Sequence, residues 1–134
     1  MKSKENSVRQ LAVRQCYATS QDASKSEAAL RDRCPRNIEI NESTKASFRS
    51  GIEMCFAYWD NARKEVLLGE AESTSHSLQL QKQNCETILN QSLAWGSDEA
   101  IAFSVGCLFA LNVSLDLLSS ASVDTGDSTK LVRT

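Results

Sequence analysis

Turn-forming residues are scarce. The 134-residue chain has one proline, Pro35, and five glycines. Sandwiches and barrels need many turns, and turns draw on Gly, Pro, Asn and Asp. A fold of many short strands is therefore excluded, while four or five helices need no more breakers than are present. The length suits one domain near the commonest domain size.

Chemically versatile residues are also thin. His76 is the only histidine. Serine or cysteine nucleophiles need a base within hydrogen-bond reach, usually histidine, and no G-x-S-x-G turn is present. Along a helix, Cys85 would lie about 13 Å from His76. The five cysteines, Cys16, Cys34, Cys55, Cys85 and Cys107, contain no C-x-x-C pair. Zinc sites that use cysteine thiolates normally gather three or four soft ligands. The phosphate-binding patterns G-x-x-x-x-G-K-[ST] and G-x-G-x-x-G do not occur. The acid pairs Glu70/Glu72 and Asp98/Glu99 do not share a helix face and read as solvated or dipole-complementing charges. No catalytic, cofactor-binding or metal residue is assigned, and a non-enzymatic protein without a cofactor is expected.

The cysteines mostly neighbour apolar residues and read as reduced, buried thiols, with a disulfide between two of them left open. An odd number of thiols favours a reducing, cytoplasmic setting. The opening MKSKENSVRQ is polar, and no apolar run follows it as in a secretory leader. The longest uncharged stretch, Ala100 to Leu115, has sixteen residues. A span needs about 20 apolar residues, so this stretch is expected to be a buried central helix with no membrane contact.

Charge is unevenly placed within the net of −2. Residues 1–34 carry seven Lys/Arg and four Asp/Glu, and residues 35–134 carry eight and thirteen. A mildly basic start thus precedes an acidic body. Lys2, Lys4, Arg9, Arg14 and Lys25 form a candidate basic contact surface.

Apolar periodicity defines five segments. The first runs from about Ser7 to Thr19, with Ser7 and Gln10 as a capping box and Val8, Leu11, Ala12 and Cys16 on one stripe. Arg9 and Arg14 lie off it. A second runs from about Ser24 to Cys34, with Ser24 and Glu27 as its box, and stops before Pro35. These two could form one continuous helix. Residues 36–42 connect, with Ile38 and Ile40 alternating against polar residues.

The third segment, from Asn41 or Ser43 to Leu68, is the clearest. Phe48, Ile52, Cys55, Phe56, Trp59, Ala62 and Val66 make one apolar face. Gly51 interrupts it at a cost of about 1 kcal/mol against alanine, which suggests a close neighbour. Gly69 is its expected C-cap. The fourth segment ends near Trp95, with Leu78, Cys85, Ile88, Leu89 and Leu93 inward and a polar first half. In Gly96-Ser97-Asp98-Glu99, glycine closes one helix, serine caps the next, and two acids meet its positive dipole. The fifth segment is apolar on nearly every side to about Leu118. Residues 120–134 read as a flexible tail on a single helical domain of residues 1–119.

Ala102, Gly106 and Ala110 make a ridge of small residues on the fifth segment. Such a ridge admits another helix closely, either within the bundle or as the seam of a homodimer. The sequence therefore predicts an all-α, compact bundle of four to five helices. Its expected role is binding another protein, as an inhibitor, adaptor or regulatory subunit. The alternative is a DNA-binding regulator. The first two segments loosely resemble a helix-turn-helix, with Lys25, Arg31 and Arg33 on the second. A long serine-rich turn and Asp22 count against it.

Overall fold

Asn41 starts the longest fully described helix by capping it from both sides. Its side chain accepts from the Thr44 amide at 2.9 Å, and the Thr44 hydroxyl accepts from the Asn41 amide at 2.9 Å. In this computed structural model, which describes the backbone of residues 4–133 and the side chains of residues 5–121, five helices follow one another. They are α1 (Lys4–Gln21), α2 (Ala23–Arg33), α3 (Glu42–Leu67), α4 (Thr74–Trp95) and α5 (Asp98–Arg133). The architecture is an all-α bundle.

Helix α3 buries most of the predicted face: Phe48, Ile52, Cys55, Phe56, Trp59 and Ala62 are all inside, while Val66 near its end is only partly buried. It ends in a Schellman motif. The Gly69 amide donates to the Val66 carbonyl and the Glu70 amide to that of Glu65. Gly69 holds φ 77°, a conformation open to glycine at little cost.

Helices α3 and α5 run parallel. Ser43 meets Glu99, Gly106 meets Phe48, and Trp59 meets Ser114. The contact depends on two missing side chains. A Cβ on Gly51 would stand 2.0 Å from the Phe103 carbonyl oxygen, and one on Gly106 would stand 2.1 Å from that of Phe48. Helix α5 is covered as its composition requires. Ile101, Val105, Phe109 and Leu111 are buried, and Leu108, Val113 and Leu115 pack partly against the same core. Asp98–Ala121 is long and apolar enough to cross a bilayer, but 61% of its most apolar window is buried within the bundle, as befits a central helix.

Helix α4 descends antiparallel between them, and α1 lies antiparallel across α3 through Glu5–Arg63 and Arg9–Asp60. The 34–41 connection is tied down rather than loose. Arg36 donates to the Leu93 carbonyl at 3.2 Å, and the Glu39 amide donates to the Asp98 carboxylate at 3.0 Å. Ile38 and Ile40 pack against the core from this connection.

Several expectations need correction. Helix α1 is already under way at Ser7, so the Ser7/Gln10 box does not exist, and Leu11 is 38% exposed. Helix α2 is capped by Asp22, whose carboxylate accepts from the Lys25 amide at 2.9 Å, and not by Ser24. That cap breaks α1 from α2 at a single residue, so neither a continuous helix nor a long serine-rich turn is formed. Ile88 points outward, 47% exposed. Helix α5 does not end near Leu118 but continues to Arg133. Asp98 and Glu99 are not merely solvated: they hold Glu39, Arg36 and Ser43.

Candidate interaction surface

The small-residue ridge is spent inside the fold. Ala102, Gly106 and Ala110 are buried, with Gly106 against the backbone of Phe48. The ridge is a helix–helix seam, but one between α3 and α5 of the same chain. As a homodimer seam it is occluded, because burying Gly106 twice would require opening the core.

The basic set is dispersed. Lys2 lies outside the described residues, as does the side chain of Lys4. Arg9 pairs with Asp60 at 3.3 Å and stands 5.6 Å over the Phe56 ring, so its cation faces an acid and an aromatic of its own chain. Its Nε is buried without a hydrogen-bond partner. Arg14 and Lys25 are exposed, on α1 and α2. Arg9 and Arg14 border one shallow depression with Gln10 and Val13, which Lys25 does not join. On α2, Arg31 pairs with Glu27 at 2.8 Å and Arg33 lies 4.8 Å over Phe109. Arg31 holds the Glu27 carboxyl below its ordinary range. Two of the three cations a recognition helix would offer to phosphates, Arg31 and Arg33, already have partners within the chain.

His76 is exposed in the first turn of α4, where its amide donates to the Ser73 hydroxyl at 3.0 Å. Among the described residues no group of three His, Cys, Asp or Glu is placed to hold a metal ion. A cleft between α2, α4 and α5 is lined by Asp32, Arg33, Leu89, Leu108, Phe109 and Asn112. Its arginine and aromatic ring are stacked on one another.

The exposed apolar residues are more organised. Leu80 is 48% exposed, Ile88 47% and Trp95 89%. At 100° per residue these three fall within roughly a quarter of the α4 circumference, along about 22 Å. Ile88 and Trp95 border a shallow groove with Gln91, Ser92 and Gly96. Asn84 and Gln91 lie in the same arc, so the face is uncharged along its length and apolar at Leu80, Ile88 and Trp95. Sequence reading assigned Ile88 to the core and gave Leu80 and Trp95 no role. The signal available was a second apolar stripe on α4, beside that of Leu78 and Cys85.

The thiols differ among themselves. Burial pushes Cys16 and Cys55 up to about 12. Cys34, half-buried at the end of α2, is raised for the same reason. Cys85 and Cys107 instead face each other, sulfur to sulfur at 3.2 Å, between α4 and α5. No sequence motif announces that pair, yet a signal exists. Each cysteine stands eleven residues from Gly96, on either side. That is about three helical turns up each arm of a hairpin.

No protein-family model, no curated protein and no solved structure matches this chain.

Proposed function

We propose that the protein acts without catalysis, by presenting the outer face of α4 to another protein that carries an apolar groove. The supporting observation is Trp95, a large aromatic side chain 89% exposed at the end of an apolar stripe on a helix whose other face is buried. Tryptophan is enriched among residues that dominate binding energy. Helix-in-groove recognition uses apolar anchors at helical spacing, which Leu80, Ile88 and Trp95 supply. An inhibitor, adaptor or regulatory subunit of a larger assembly would use such a face. The partner groove needs little charge, because Asn84 and Gln91 are the polar residues along the stripe.

The DNA-binding reading is the weaker one, since Arg9, Arg31 and Arg33 are engaged within the chain. The two differ in salt dependence. Phosphate contacts weaken steeply with salt, whereas an apolar face does not.

A photo-cross-linker at Gln91 tests the proposal in living cells, with the same group at Glu53, an exposed residue on α3, as control. A discrete adduct from position 91, lost on adding Trp95→Ser and Ile88→Ser, is the expected result. Equal labelling from both positions, or none from 91, would overturn it.

A further inference from the structure

The α4–α5 hairpin brings two thiols together that nothing in the protein-binding reading uses. Cys85 is 4% and Cys107 1% exposed, and their sulfurs are 3.2 Å apart. A disulfide bond is about 2.05 Å long, so closure needs a sulfur movement of only about 1 Å. Tyr58 on α3 stands beside the pair. We propose that Cys85 and Cys107 are an oxidation site: a thiol pair that a small peroxide converts to a disulfide locking α4 to α5.

The two sulfurs have different roles. The contact with Cys107 at 3.2 Å holds the Cys85 thiol below its ordinary range despite burial. Cys107, hydrogen-bonded to Cys85 and the more deeply buried of the two, is pushed up. Cys85 is the less deeply buried sulfur, at 4% against 1%, so a small peroxide reaches it first, and its thiolate is the reactive form. Its sulfur attacks one oxygen of hydrogen peroxide; the S–O bond forms, the O–O bond breaks, and the departing hydroxide takes a proton to leave as water. The Cys107 sulfur then attacks the sulfenic sulfur of Cys85. The S–S bond forms, the S–O bond breaks, and hydroxide leaves with the Cys107 proton as a second water. Two thiols lose two electrons in all, and one peroxide becomes two waters.

Exposure alone would select a different thiol. Cys34 is the most open of the five, and an oxidant limited by access would reach it first. The near-complete burial of the pair also selects for a small oxidant over a bulky disulfide such as oxidised glutathione.

The experiment treats the reduced full-length protein with hydrogen peroxide under native conditions, blocks remaining thiols in denaturant, and maps peptides without reduction. The expected product is a monomeric chain missing two thiols, with Cys85 joined to Cys107. Closing a loop of 22 residues should raise Tm by on the order of 10 °C. Cys34→Ala should leave the product unchanged, and Cys107→Ser should leave a sulfenic acid on Cys85 that dimedone captures. Wild-type mapping decides the matter even if Cys107→Ser fails to fold. Oxidation at Cys34 with Cys85 and Cys107 both still free, or disulfides only between chains, would overturn the proposal.

Discussion

The indole N–H of Trp59 on α3 donates to the hydroxyl of Ser114 on α5 across 2.9 Å, with both residues fully buried. It is a polar contact in the middle of the core, and Cys55 sits 3.8 Å from the same hydroxyl. A buried donor left without an acceptor costs about 1–3 kcal/mol. Ser114→Ala should therefore lower unfolding free energy by about 2 kcal/mol, read by urea titration of tryptophan fluorescence. A loss indistinguishable from zero would show that Trp59 finds another acceptor.

The glycines separate two kinds of constraint. Gly51→Ala and Gly106→Ala each drive a methyl group into backbone atoms of the opposite helix. Backbone yields far less readily than a side chain, so both variants should lose more than about 3 kcal/mol, at the severe end of single substitutions. Gly69→Ala meets no atom within 4 Å but must hold φ 77°. Its cost should be only about 1 kcal/mol. Thermal unfolding of the three variants checks the order, and a milder Gly106→Ala than Gly69→Ala would contradict the described α3–α5 contact.

Alkaline pH should unfold the protein through its thiols. Cys16 and Cys55 are raised from 9.0 to about 12, so the unfolded chain releases those protons first. Stability is then fully present below pH 9 and falls as pH rises toward 12, by up to about 1.4 kcal/mol per pH unit for each thiol. Replacing Cys16 with alanine should flatten that fall. An unchanged pH dependence would assign it to other groups.

Asp98 should hold the 34–41 connection. Its carboxylate accepts from the Glu39 amide at 3.0 Å and from Arg36 at 3.5 Å. Asp98→Ala should expose the Glu39 amide to faster hydrogen exchange and cost about 1 kcal/mol, modest because the site is partly solvated. Unchanged exchange at Glu39 would mean that the connection is held by Ile38, Ile40 and the Arg36–Leu93 hydrogen bond.

Strong local patterns were legible in the sequence. The seven-turn apolar face of α3 and its boundaries near Asn41 and Leu68 match Glu42–Leu67, and the close neighbour required at Gly51 is Phe103. The Gly96-Ser97 boundary is also as read, with Ser97 accepting from the Ala100 amide at 3.2 Å. Weak patterns misled. Ser24 and Asp22 are both competent caps, and local chemistry did not reveal which one the chain uses. Ile88 fitted a helical stripe, but α4 has an apolar residue on each side, and only the packed bundle decides which side is inside. Contacts such as Arg9–Asp60 and Cys85–Cys107 depend on which faces meet, which no single segment encodes.

The shared direction of α3 and α5 has an electrical consequence. Their positive N-terminal poles lie side by side, an arrangement that repels unless something negative is placed there. Glu42, Asp98 and Glu99 occupy the first turns of these two helices, and the oppositely directed α4 brings its negative pole to the same end. Arg36, reaching the Leu93 carbonyl and Asp98 together, bridges that negative pole to the acid on α5. Replacing the acids with amides would leave like poles facing each other, and the strain would fall on the end of the bundle where α3 and α5 begin and α4 stops.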